Sequence, residues 1–213
     1  MVKISEKLDL PTSEELPCSD DTPVDNEEQN FIPNFLLFLL AFIWPERQDW
    51  FWGVDMAVYH TTGVSTLVPV VPDGFLSLGV ERRKSNGSRT SYVVWEENDV
   101  VPILVLEVVS RNYGYSGLGV PYYVVHNPEY WRRDRQQPFV VYRLEDGEYV
   151  PQIGKPLWMP EIGLGIGLAI ASIGGIRREV LCWYDQNGTR YQTAEELVER
   201  YRKRFGELPE SDN

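Results

Sequence analysis

The run PILVLEVVS, Pro102 to Ser110, places the tightest constraint on how this chain can fold. Its apolar residues stand side by side, without the alternation of a half-exposed strand, and the run has strand length. That is the pattern of a central strand buried on both faces. One carboxylate, Glu107, interrupts it. A buried carboxylate is costly unless it is paired, protonated or bound to a metal, so Glu107 needs a partner.

Asp73 is the candidate. It lies in Pro72-Asp73-Gly74, beside a short strand in VPVVPDGFLSL, and SYVVWEE reads as a strand between the two acids. Strands laid side by side would bring Asp73 and Glu107 to one end of a sheet. The result is an oxygen-rich site for a hard divalent cation such as Mg²⁺, the arrangement that metal-assisted phosphodiester hydrolysis uses. Residue types also leave a second arrangement open, in which Asp73 caps a turn and Glu107 pairs with a buried Arg or Tyr.

Around this strand the periodicity predicts a single α/β (α+β) domain. The string DNEEQNFIPNFLLFLLAFIWPE predicts a helix from about Asp25 to Pro45, with Pro33 as a kink or restart. WFWGVDMAVYH alternates as a strand, PYYVVHNP is another, and QPFVVYRLEDGEYVPQ and LCWYDQNGTRYQT read as hairpins turning at Asp146-Gly147 and Asn187-Gly188. Residues 1–24 read as an acidic, extended or flexible arm, 25–192 as the domain, and 193–213 as a capped helix with a tail.

The net charge is −12, and nine acids against two lysines put −7 of it in the first thirty residues. Broad phosphate neutralisation is excluded by that balance, so DNA contact must use a local patch. Arg82, Arg83, Lys84 and Arg89 form one candidate in the loop ERRKSNGSRTS, and Arg132, Arg133 and Arg135 form another; solvated surface charge is the simpler reading of both. The two cysteines, Cys18 and Cys182, form no metal motif and fit a reducing compartment. FLLFLLAFIW is too short to span a bilayer, so a cytoplasmic location without membrane contact is expected. GLGIG, residues 163–167, lacks the phosphate-loop spacing and reads as a turn. His60 and His126 each stand alone at a strand end. Ser110 reads as a group able to orient Glu107, and Asp55 as an accessory acid or a turn residue.

The strings VPDGFLSLGVERRK, SYVVWEENDVVPILVLEVVS, LGVPYYVVHNPEYWRRDRQQPFVVYRLEDGEYV and PLWMPEIGLGIG, in that order, resemble the Uma-type family of restriction endonucleases, formerly filed as a domain of unknown function. The resemblance runs from about Asp20 to about Tyr191. It implies a PD-(D/E)XK nuclease domain, a restriction-endonuclease-like mixed sheet flanked by helices, acting on DNA with Mg²⁺ or Mn²⁺. By motif, Asp73 matches the aspartate of the PD element, Glu107 the acid of the Glu-Val-x-Ser element, and Glu27 an acid of the first helix that completes the metal site. The backbone carbonyl of Val108 is a further implied ligand. Val109 stands where the wider superfamily has lysine.

The family supplies a lysine from a helix after the glutamate, whereas here RNYGYSG leads straight into LGVPYYVV. Roughly two helical turns, at about 3.6 residues each, are absent, and no lysine lies between Lys84 and Lys155. Arg111 and Lys84 are the surrogates available, and an arginine stabilises charge but stays protonated. The expected activity is metal-dependent DNA cleavage. The alternative is an inactive nuclease-fold protein serving as a binding or interaction module, and a homodimer is left open.

Overall fold

The computed structural model describes residues 10–18, 26–62, 65–85, 87–108, 118–128 and 137–207. The chain divides into two compact units: Met1–Pro33 with Arg47–Pro151, and Asn34–Glu46 with Gln152–Asn213. Helix α1, Glu27–Ile43, begins where its cap predicts: Asn26 Oδ1 accepts hydrogen bonds from the backbone N–H groups of Glu28 and Gln29 at 3.0 and 3.2 Å. It runs through Pro33 without a break.

The first unit is built on a mixed sheet. Strands β1 (Trp50–Val54), β3 (Gly74–Leu78), β5 (Leu104–Val108), β6 (Tyr122–His126), β7 (Phe139–Glu145) and β8 (Glu148–Pro151) lie in the order β1-β3-β5-β6-β7-β8. The neighbours run antiparallel except β5 and β6, which are parallel. β5 is therefore central, as its apolar run predicts, and Leu104, Val105, Leu106 and Val108 are buried. One face packs Phe75 and Val105 against Val58, Tyr92, Val94, Leu118 and Val120. Asp146 and Gly147, both at positive φ, close the β7–β8 hairpin where expected.

Three expectations change. WFWGVDMAVYH is not one strand, because Asp55 at φ 47° ends β1, and the chain resumes as β2 (Val58–Tyr59). SYVVWEE does not lie between Asp73 and Glu107. Its Tyr92–Val93 forms β4, which pairs with β2 in a separate two-stranded sheet, and Val94–Glu96 turn into a short 3₁₀ helix. β3 and β5 consequently pair directly. Within the segment expected to be a flexible arm, residues 10–18 are anchored. Leu16 packs with Ala57, Tyr59 and Val93, Trp95 Nε1 donates to Pro11 O, Tyr59 Oη donates to Pro17 O, and Ser13 donates to Glu96 from N and Oγ at 2.8 Å each.

The second unit carries the sheet β11-β10-β9, from β9 (Leu157–Met159), β10 (Leu164–Ile173) and β11 (Ile176–Tyr184). GLGIG is not simply a turn: Gly163 turns at φ 76°, and the rest begins β10. There a Cβ on Gly167 would lie 3.1 Å from Pro156 Cα, so only glycine admits that neighbour without displacement. The turn at Asn187-Gly188 forms, but its return arm is a single bridge between Tyr184 and Arg190. Helix α2, Ala194–Phe205, opens with the capping box of Thr193 and Glu196. Cys18 is exposed, Cys182 is buried, and both are free thiols. Among the described residues no helix is long and apolar enough to cross a membrane.

Candidate metal site at one end of the mixed sheet

Strand directions gather the chemistry of the first unit. β1, β5 and β6 end, and β3 and β7 begin, at the same end of the sheet. Gly74 pairs with Leu106, and one step further along that register Asp73 faces Glu107. Residues directly opposite on antiparallel strands share a face, with Cβ atoms about 5 Å apart. Carboxylates extending from two such positions are within reach of one ion at oxygen contacts of about 2.0–2.6 Å. The same row continues to Asp55, whose N–H donates to Asp73 O at 3.2 Å.

The two acids are held differently. Asp73 Oδ2 accepts the backbone N–H of Val108 at 2.6 Å, which ties the start of β3 to the last residue of β5. Glu107 Oε1 is buried with no hydrogen-bond partner. Burial, and secondarily the neighbouring Asp73 charge, push its carboxyl from 4.5 up to about 9. Without a cation, Glu107 is therefore protonated at neutral pH.

Glu27 lies exposed in the first turn of α1. Among the described residues no group of three or more His, Cys, Asp or Glu could hold a metal ion, so the structure brings together Asp73 and Glu107 without Glu27 as a third acid. Val108 is placed at the site, at the end of β5. Val109, Ser110, Arg111 and the second basic cluster, Arg132, Arg133 and Arg135, lie outside the described residues.

The loop before β4, expected to be exposed, has most of its basic side chains partly or fully buried. Arg89 has a side chain only 2% exposed. It donates to both carboxylate oxygens of Glu97 at 2.9 Å and to Glu81 O at 2.8 Å, and its guanidinium lies 4.4 Å over the Phe51 ring. Lys84 pairs with Glu97 at 2.8 Å and Glu96 at 3.3 Å. Burial opposes ionisation of Glu97, but the hydrogen bonds and charges of Arg89 and Lys84 outweigh it and hold the carboxyl below its usual range. Arg82 stacks 3.6 Å over Trp50, and Arg83 is exposed. Lys84 is thus committed to two glutamates.

At the end of β6 stand His126, read from the sequence as a lone histidine, and Asn127, which the sequence did not single out. His126 Nδ1 bonds Pro138 O at 3.1 Å, its Nε2 is buried without a partner, and burial pushes the ring down to about 4, so it is neutral. Asn127 is 2% exposed, and its Oδ1 likewise has no partner. His60, the other isolated histidine, bonds Thr62 Oγ1 at 2.9 Å.

The donor set at Asp73 and Glu107 is all oxygen, and one oxygen is buried without a hydrogen-bond donor. Both properties fit a hard divalent cation rather than zinc. No protein-family model, curated protein or solved structure matches this chain.

Proposed function

We propose that the Asp73–Glu107 pair holds Mg²⁺ or Mn²⁺ and that the chain is a metal-dependent DNA endonuclease on a restriction-endonuclease-like core. One observation carries this reading: Glu107 Oε1 is buried and unpartnered beside a second carboxylate at the sheet end. The position of the two acids supports the cation site, since they flank the direct β3–β5 pairing at one end of the mixed sheet.

A hard cation bound there supplies Lewis acidity at a phosphoryl oxygen and activates water. The residues of this chain hold and orient it. Asp73 is fixed in direction by the Val108 N–H, which holds its carboxylate at the end of β5. Glu107 gives up its proton on binding, because only the carboxylate is a good ligand. Burial of Glu107 on the central strand restricts water around it and strengthens its field.

A second reading is a nuclease-fold binding module that takes up metal without cutting. The pairing of Lys84 with Glu96 and Glu97 favours it, because general acid–base groups are typically worth about 10²–10⁴-fold in rate. Supercoiled plasmid and single-stranded DNA incubated with the protein in Mg²⁺ or Mn²⁺ distinguish the two. Cleavage lost in Asp73→Ala supports the nuclease, intact DNA with metal bound supports the module, and the absence of metal binding refutes both.

A further inference from the structure

We infer that Asn127 is a third ligand of this site, contributing Oδ1 to the cation held by Asp73 and Glu107. The inference rests on the cation-site reading above and adds a neutral donor to it.

The placement follows from register. β5 and β6 are parallel with Glu107 opposite Val125. Asn127 N–H donates to Pro138 O at 2.8 Å, which extends the β6–β7 pairing one step beyond His126 and Phe139. Asn127 is therefore still in extended backbone, and alternation along the strand puts its side chain on the Val125 face, the face of Glu107. His126 takes the opposite face, and so does not compete for the site. Strands stand about 4.8 Å apart and rise about 3.3 Å per residue, so Asn127 and Glu107 are diagonal neighbours about 8 Å apart along the backbone. Two side chains leaning toward one ion close that span.

Chemistry points the same way. Glu107 Oε1 and Asn127 Oδ1 are both buried, both acceptors and both without a donor, on adjacent strands at one end of the sheet. No donor reaches either oxygen, and once Glu107 is ionised the two acceptors cannot satisfy each other. A cation satisfies both, and amide oxygens are ordinary ligands of hard cations. A neutral third ligand also adds no repulsion to the Asp73–Glu107 pair.

Mn²⁺ binding, measured by calorimetry on the full chain in mildly alkaline buffer, tests the assignment. Asp73→Asn should abolish binding and Asn127→Ala should weaken it roughly 10-fold. Asn127→Asp should tighten it several-fold, because affinity for hard cations follows ligand charge; a residue serving only to pack would not give that gain. Wild type that binds no Mn²⁺ overturns the cation site itself. Binding that needs Asp73 but is unchanged by either Asn127 substitution overturns only the Asn127 assignment. If Asn127→Ala melts early in EDTA, Asn127→Asp decides alone: tighter binding upholds the ligand role, and equal or weaker binding overturns it.

Discussion

Replacing Glu107 with Gln in the metal-free protein should remove a specific pH dependence of stability. Burial and the Asp73 charge raise the Glu107 carboxyl from 4.5 to about 9 in the folded chain. Between those values the folded state keeps a proton that the unfolded state has released. Folding takes up that proton, so the contribution is fully present below the unfolded value and is lost as pH rises toward the folded one. Each pH unit is worth about 1.4 kcal/mol. From 4.5 to neutrality the loss comes to about 3 kcal/mol, a sizeable part of the roughly 5–15 kcal/mol that holds a domain together. Glutamine keeps the shape and cannot titrate. Urea unfolding in EDTA from about pH 5 to about pH 8 should show the stability of the variant gaining on wild type by up to about 1.4 kcal/mol per unit. Any hydrogen bond that the amide gains or lacks shifts the curve without changing this slope. Asp73→Asn should leave that slope in place at the acid end and make the loss level off at a lower pH, since it removes the lesser of the two causes that raise Glu107. Curves for wild type and Glu107→Gln that run parallel across the range would refute a proton held at Glu107.

Saturating Mn²⁺ should raise the melting temperature of wild type, equivalent to about 2.7 kcal/mol at a hundred times Kd, and leave Asp73→Asn unmoved in a thermal melt. Arg89→Met should destabilise the first unit by about 3–5 kcal/mol in urea, because it leaves Glu97 charged and buried with only Lys84 beside it. Lys84→Met, removing a side chain 20% exposed, should cost clearly less in the same assay. Gly53→Ala should cost about 1–3 kcal/mol, since its Cβ would stand 2.2 Å from the Phe75 ring, which packs in the core; an unshifted urea midpoint would show that the ring yields freely.

The two acids were legible because each breaks a local rule. Glu107 is a charge in a run that otherwise reads as doubly buried, and Asp73 precedes the glycine that opens the neighbouring strand. Their juxtaposition was legible for an incomplete reason. SYVVWEE has the composition of a strand, yet its acids Glu96 and Glu97 are drawn to Lys84 and Arg89, and only Tyr92–Val93 pairs, with β2. That closure of the basic loop onto its own acids is a long-range electrostatic choice with no periodic signature. It turns a run of basic residues into a largely buried ion-pair network, and β3 lies directly on β5. The anchoring of residues 10–18 was hidden for the same reason: its partners, Tyr59 and Trp95, are distant in sequence, and the segment shows only polar composition.

Asn127 was hidden differently. An Asn before Pro at the end of a strand is ordinary turn chemistry, and nothing in HNP distinguishes a turn from a ligand. What separates them is the parallel register of β5 and β6, which places that residue beside Glu107, and the burial that leaves its oxygen without a donor. A parallel pair brings together two strand ends that the chain reaches separately, and the polar residues just past those ends share a surface for that reason. The carboxylate in the apolar run therefore marks the candidate site, while the strand beside it determines which further atoms are within reach.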